Sequence, residues 1–223
     1  MCGRFTLFES DKILSKEFGV SGFPPLSPRY NIAPSQRVAA VRAAPAGAGR
    51  ELALLRWGLI PSWSKDPAIG NRLINARAET AREKPSFRNA FRQHRCLIPA
   101  SGFYEWQRQE RGKQPYFVRM RDGRPFAFAG LWDRWESADE GAIETCTILT
   151  TAPNAVLAPI HDRMPVILPP AEYARWLDPS LRDTDSLAPL LVPFPPDDML
   201  AFPVSPRVNP PTIDDEKCIS PLP

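Results

Sequence analysis

Leu97-Ile98-Pro99-Ala100-Ser101-Gly102-Phe103-Tyr104-Glu105-Trp106 is the stretch on which the fold class turns. Its aliphatic and aromatic residues read as β-structure, bounded by charges, Gly and Pro. Residues 116–120, 126–132 and 143–151 downstream have the same character. Upstream, residues 37–41 and 51–57 read as strands joined by an Ala/Gly/Pro turn, and the opening Gly-Arg-Phe-Thr-Leu-Phe reads as another. Helical signals are few and short. Residues 9–18 place Ile13, Leu14 and Phe18 at helical spacing with Gly19 as a stop, a second helix follows Pro85 through Phe87 and Phe91, and Pro169-Pro170 opens a third over 171–177. Residues 21–34 read as loop, and 57–63 as a turn carrying two tryptophans. There is no repeat and no linker. The expectation is one α+β domain over residues 1–223, with a strand-rich core, short flanking helices and a proline-rich tail from about residue 193 draped over the body.

Composition narrows the class. Proline supplies 27 of 223 residues, roughly twice average usage. Each removes a backbone donor and breaks a helix interior, which excludes a long-helix bundle, a coiled coil or a solenoid. An apolar fraction of 43% and a charged fraction of 24% exclude wholesale disorder. No apolar run approaches membrane-spanning length, and Met-Cys-Gly-Arg-Phe-Thr-Leu-Phe-Glu-Ser lacks the pattern of a secretory leader. A cytoplasmic protein with reduced thiols is expected. Cys2, Cys96, Cys146 and Cys218 have no paired spacing, so neither a metal nor a cofactor is expected. The net charge of +3 is unevenly spread: thirteen basic and five acidic residues lie between Arg72 and Arg124, against three basic and eight acidic from Asp178 onward. Arginine outnumbers lysine 22 to six. An anion-binding face and a solvated basic face both fit that excess.

Cys2 is the most informative residue. If Met1 is removed, position 2 carries an α-amine and a thiol on adjacent carbons, with reference pKa values of about 8 and about 8.5. An aldehyde can form a Schiff base with the amine, after which the thiol closes on the same carbon to give a thiazolidine. No internal cysteine can do this. Elsewhere, Asn75-Ala-Arg77-Ala-Glu79-Thr80 is a polar cluster behind Leu73-Ile74. Glu105 sits among three aromatics and should be desolvated with a raised pKa, as a general acid requires. His161, one of two histidines, lies between Pro159 and Pro165. Each also has a structural reading: an inert buried thiol, an amide satisfying a turn, a carboxylate paired with arginine, a satisfied loop histidine.

Together these blocks resemble the SOS-response-associated peptidase (SRAP) family, the abasic-site-processing proteins. The resemblance rests on Met-Cys2-Gly-Arg4, Tyr30-Asn-Ile-Ala-Pro34, Trp57-Gly-Leu-Ile-Pro-Ser-Trp63, Asn75-Ala-Arg77-Ala-Glu79-Thr80, Gly102-Phe-Tyr-Glu105-Trp106, Leu149-Thr150-Thr151 and His161-Asp-Arg163-Met-Pro165. They run in family order from Cys2 to about Pro169.

The resemblance implies a barrel-like SRAP-type fold, autocatalytic removal of Met1, and a covalent thiazolidine between Cys2 and an abasic site in single-stranded DNA, shielding the lesion. By motif position Asn75 would hold the new amino terminus, Glu105 would act as acid and base, and His161 would assist the Schiff-base steps and slow reversal. Arg77 would bind phosphate beside the lesion, Arg4 and Arg163 would contact further phosphates, Pro34 and Thr150 would line the lesion pocket, and Trp63 would wedge against bases at a strand junction. A further wedge aromatic of some members has no counterpart near Asn71. A monomer is the default expectation, since nothing in the sequence argues for an interface, and the protein is expected in the cytoplasm, nucleoid-associated during DNA damage. Two rival readings stand beside it: an N-terminal-nucleophile cysteine amidohydrolase of the glutaminase type, and a non-covalent single-strand-binding module using arginines and aromatics alone.

Overall fold

The run over residues 97–106 is not one strand: it breaks at Ser101, and its halves belong to different sheets. The computed structural model describes residues 2–20, 26–45, 49–137 and 141–223. In chain order it gives β1 (Arg4–Leu7), α1 (Asp11–Phe18), β2 (Arg29–Ile32), β3 (Arg37–Ala43), β4 (Arg50–Trp57), β5 (Asn75–Arg77), α2 (Ala78–Ala81), α3 (Arg88–Gln93), β6 (Arg95–Ala100), β7 (Gly102–Arg108), β8 (Lys113–Met120), β9 (Phe126–Ser137), β10 (Gly141–Thr151), β11 (Met164–Pro165), β12 (Ile167–Leu168), α4 (Tyr173–Leu177) and β13 (Met199–Pro203). Helix α1 follows its signals: Ser10 caps the N-terminus through the Ile13 N–H, and Gly19 closes the helix in the left-handed region at φ 61.

One sheet closes on itself. The order β10-β4-β3-β6-β9 is completed by pairing of β9 with β10 over eight residue pairs, making a five-stranded barrel. Buried Val38, Ala40, Leu55, Ile98, Phe128 and Ile148 contribute to its core. Pro99 is tolerated because β3 pairs β6 only at Cys96 and Leu97, leaving Pro99 beyond that ladder. The second sheet has the order β13-β8-β7-β1-β2. Residues 97–106 therefore carry the chain from the barrel into the second sheet, with Glu105 on the far side of the switch.

Gly102 makes the switch possible. A Cβ there would lie 2.3 Å from Phe117 Cζ and 2.8 Å from the Val118 carbonyl oxygen. We expect Gly102→Ala to destabilise the fold by about 2–3 kcal/mol, a fall in melting temperature of roughly 5–10 °C at this chain length. An unchanged melting curve would show that the two sheets have room to part there.

Two expectations need correction. Residues 21–34 are not all loop, since β2 lies within them; residues 21–25 fall outside the described residues, as do 46–48 of the β3–β4 turn. The strand forms because distant groups satisfy it: the Asp214 carboxylate accepts the Tyr30 and Asn31 N–H groups, the latter at 2.8 Å, and pairs with Arg29. The tail does not merely drape, because β13 adds to β8 in register from Met199 opposite Met120 to Pro203 opposite Tyr116. Its flanking prolines hid that strand, yet proline is compatible with a sheet edge. The Asn75 block, to which the sequence assigned no element, holds β5 and α2, both too short to leave a period.

Proline also has a local role. Pro67, Pro170, Pro196 and Pro206 each open a short 3-10 helix, where the missing N–H would have had no partner anyway. No helix of the described residues is long and apolar enough to cross a membrane. All four cysteines are buried free thiols.

Candidate active site

Strand pairing brings the amino terminus to Glu105. Strand β1 runs antiparallel to β7 with Arg4 opposite Tyr104 and Phe5 opposite Phe103. Extending that register sets the residues before Arg4 beside Glu105 and Trp106. Cys2 is fully buried, and its thiol lies 3.9 Å from the Arg4 carbonyl oxygen. Burial, reinforced by the nearby Glu105 charge, pushes the thiol pKa far above its ordinary value.

Asn75 fixes this residue from the other sheet. Its Nδ2 donates to the Cys2 carbonyl oxygen at 2.8 Å. Its Oδ1 is buried without a hydrogen-bond partner among the described residues, an acceptor in need of a donor. Strand β5 lies parallel to β10, with Asn75 opposite Ile148 and Arg77 opposite Thr150. Alternation along a strand places Asn75, Arg77 and Thr150 on one face. Thr150 is buried, and its Oγ1 also lacks a partner.

Glu105 and His161 face one another. The Glu105 side chain is 2% exposed, and His161 Nε2 lies 3.9 Å from its Oε2. Desolvation pushes the Glu105 carboxyl up to about 7, within the range where a carboxyl can both give and take a proton at neutral pH. The Arg163 N–H donates to His161 Nδ1 at 3.0 Å. That bond assigns the ring proton to Nε2 in the neutral form, facing Glu105. Desolvation lowers the ring's pKa. The Asp162 carboxylate, 3.0 Å from Nδ1, is 88% exposed and screened by water. Trp106, Arg108, Lys113 and Ile160 line a cavity of about 320 Å³ together with His161 and Asp162.

The His161 loop is held by more than its prolines. Asn154 Oδ1 accepts the Val156 and Leu157 N–H groups, its Nδ2 donates to the Phe194 carbonyl, and Gln107 Nε2 donates to the Pro159 carbonyl. Sequence reasoning did not single out Asn154. The Asx-turn pattern, an Asn satisfying N–H groups two and three residues on, was its available signal.

The three arginines expected to meet phosphate differ in their settings. Arg77 is exposed and makes no ion pair or side-chain hydrogen bond among the described residues. Arg163 grips Glu79 through two bonds of 2.6 and 2.8 Å and also donates to the Thr150 carbonyl. Arg4 donates to Asn31 Oδ1 at 2.7 Å and to the Val208 and Asn209 carbonyls at 2.9 Å each. Arg4 thus ties the tail to β1, and Trp106 Nε1 adds a 2.9 Å bond to Asn209 Oδ1.

Pro34 is half-buried in a turn closed by the Gln36 N–H on the Ala33 carbonyl, with Ser35 at φ 70. Trp63 is 59% exposed, its Nε1 donating to the Pro85 carbonyl at 3.3 Å. Neighbours anchor its loop: Asp133 Oδ2 accepts the Ser62 N–H at 2.9 Å, and Trp135 Nε1 donates to the Ser64 carbonyl at 2.7 Å. Asp133 and Trp135 were not legible as supports of this loop, because they lie on a strand 70 residues downstream in sequence and carry no local motif.

Comparison with known proteins places the chain in a family. Residues 1–211 match the family model described as SOS response associated peptidase (SRAP). The abasic site processing protein YoqW of Bacillus subtilis (strain 168) is 46% identical over 215 residues, covering 95% of each chain. The abasic site processing protein HMCES of Xenopus tropicalis is 35% identical over 183 residues, covering 72% of this chain and 54% of its own. A crystal structure of a protein from Bacteroides thetaiotaomicron superposes with a TM-score of 0.89 at 29% identity, covering 99% of this chain and 100% of that one. With the family model spanning nearly the whole sequence, the chain belongs to the SOS response associated peptidase family.

Proposed function

We propose that this protein processes abasic sites in single-stranded DNA by bonding covalently to the lesion through Cys2 once Met1 is gone. The observation that carries this reading is the 2.8 Å bond from Asn75 to the Cys2 carbonyl, which fixes residue 2 in the buried space that Glu105 and His161 face. The relatives named as abasic site processing proteins support the choice of substrate.

The chemistry divides into three balanced steps. Hydrolysis of the Met1–Cys2 peptide bond consumes one water and releases methionine, leaving the Cys2 α-amine. The unpartnered Asn75 Oδ1 is suited to accept a hydrogen bond from that amine. In the open-chain form of the abasic sugar, the aldehyde carbon then bonds to the amine nitrogen, and its oxygen leaves as water. Glu105, with its carboxyl near neutrality, protonates the departing oxygen. Finally Sγ adds to the imine carbon, and the thiol proton passes through Glu105 to the nitrogen, which becomes the ring amine. The overall change is aldehyde plus aminothiol giving thiazolidine plus water. His161, with Nε2–H toward Glu105, helps move these protons and governs reversal.

Around the lesion, Pro34 and Thr150 line the pocket, Trp63 stacks or wedges against bases, and Arg77 takes the adjacent phosphate. Arg4 and Arg163 add phosphate contacts only through N–H groups left over from their internal bonds. Replacing Arg77 with Ala should weaken binding to all single strands alike and reduce the log–log salt slope by about 0.7. An unchanged slope would remove Arg77 from the interface.

Intact mass tests the first step. The purified protein should be lighter than the encoded chain by one methionine residue, and Asn75→Ala should slow conjugation by about 10- to 100-fold, since misplacing a reacting group by an ångström costs on that order. A wild-type protein that retained Met1 would rule out the aminothiol chemistry.

A further inference from the structure

An arginine pair outside the Cys2 site has no role in the chemistry above. Arg37 opens β3 and Arg56 stands one residue before the end of β4, directly opposite each other in the antiparallel ladder. Directly opposed residues project from the same face with Cβ atoms about 5 Å apart, and like charges so placed destabilise a sheet. Neither guanidinium makes an ion pair or a side-chain hydrogen bond among the described residues. Among the described residues the one carboxylate lining their cavity, Glu144, is drawn to Arg42 at 2.7 Å, and Arg42 also binds Glu51 at 2.6 Å. The cavity, about 470 Å³, has Leu54 at 48% exposure and Ser35 on its wall.

Its location gives the pair a meaning. Two residues before Arg37 lies Ser35, whose positive φ of 70 is a costly backbone state for serine. The Ser35 N–H donates to the Trp57 carbonyl at 2.8 Å, tying the Pro34 turn to the end of β4. Beyond Trp57 the chain continues into the loop that presents Trp63. Two uncompensated arginines therefore stand where the Pro34 turn and the Trp63 loop meet, beside an exposed apolar side chain. Their planar forks match phosphate bidentately.

We propose that Arg37 and Arg56 form an anion subsite for the backbone phosphate of single-stranded DNA as the strand leaves the lesion pocket past Pro34. The proposal rests on the reading that Cys2 engages such a strand, and it extends the footprint beyond the lesion. A bound phosphate would offset the repulsion between the two arginines.

The test compares the full-length protein with its Arg37→Ala/Arg56→Ala variant, using undamaged oligothymidylates of about four and about sixteen nucleotides, with affinity followed against salt. On the long strand the variant should bind at least tenfold more weakly, with a salt slope smaller by about 0.7 to 1.4. On the short strand the loss should be below twofold. Equal affinity and slope for wild type and variant on the long strand would overturn the subsite, as would an equal loss on both lengths. Inorganic phosphate alone serves as a further arm: if millimolar phosphate raised the wild-type melting temperature while long-strand binding was indifferent to the variant, the site would belong to a free anion and the proposal would fail. Should the alanine pair not fold, Arg37→Gln/Arg56→Gln carries the same comparison. Because the strands are undamaged, a wild type that forms no conjugate with an abasic oligonucleotide would sink the Cys2 chemistry while leaving this measurement readable.

Discussion

Without reductant neither Cys2→Ala nor Cys2→Ser should form a conjugate with abasic single-stranded DNA, and each should form one when a borohydride reductant is present. The contrast with wild type isolates the two nucleophiles of residue 2. Serine retains the α-amine, so the imine forms and can be trapped by reduction. Its hydroxyl is a far weaker nucleophile than a thiol, so the ring does not close to a lasting product. Alanine also retains the amine, and its conjugate depends on reductant too. Wild type should need none, because the C–S bond withdraws the imine from equilibrium. We expect a loss of at least 10³-fold in reductant-free conjugate for either variant, the scale seen when a covalent nucleophile is removed. Cys2 is part of the buried hydrophobic core, so a melting curve must accompany each variant. Reductant-free conjugation by Cys2→Ser would assign the stable bond to some other group.

Glu105→Gln should slow conjugate formation by about 10²- to 10⁴-fold, the range for losing a positioned general acid–base. The pH profile separates this role from a structural one. In wild type the acid step needs protonated Glu105, whose fraction falls above pH 7, while the α-amine must be neutral, a fraction that rises toward its pKa of about 8. The product is a maximum between about pH 7 and pH 8. Gln cannot titrate, so the variant should lose the alkaline fall and keep the rise. Stability should move the other way. The Glu105 pKa is raised in the folded state from 4.5 to about 7, so between those values the folded protein holds a proton that the unfolded chain has released. Stability therefore falls as pH rises through this window, by about 3 kcal/mol from this group. Glu105→Gln, which removes that slope, should melt higher than wild type at pH 8 while reacting far more slowly. A variant slower and less stable at every pH would make Glu105 a packing residue.

These outcomes turn on a site whose parts were unevenly legible. The carboxylate among three aromatics announced its own desolvation, and Glu105 is buried with a raised pKa. The strand character of residues 97–106 was equally plain, because aliphatic and aromatic runs identify β-structure locally. The break at Ser101 was not, since it depends on Gly102 meeting Phe117 from a strand that has yet to pair. Strand β2 stayed hidden for a similar reason: its donors are satisfied by Asp214, 183 residues away from Asn31. Nothing local records such a partner. The tail, which had no account as sequence, closes over Arg4 from 204 residues away and contributes β13 to the sheet bearing Glu105. Its prolines start 3-10 turns and border an edge strand, so they shape a support for the site rather than a linker. The pairing of Arg37 with Arg56 was invisible for the plainest reason: cross-strand register is not written in either strand alone.

The central claim is that the Cys2 amine and thiol together capture an abasic aldehyde. Its most direct test is the mass of the product formed when the purified protein meets a single-stranded oligonucleotide bearing one abasic site, without reductant. The expected product survives denaturing electrophoresis and has the mass of the Met1-free protein plus the DNA less one water, with fragmentation placing the link on residue 2. A non-covalent mixture only, or a link on any other residue, would contradict it.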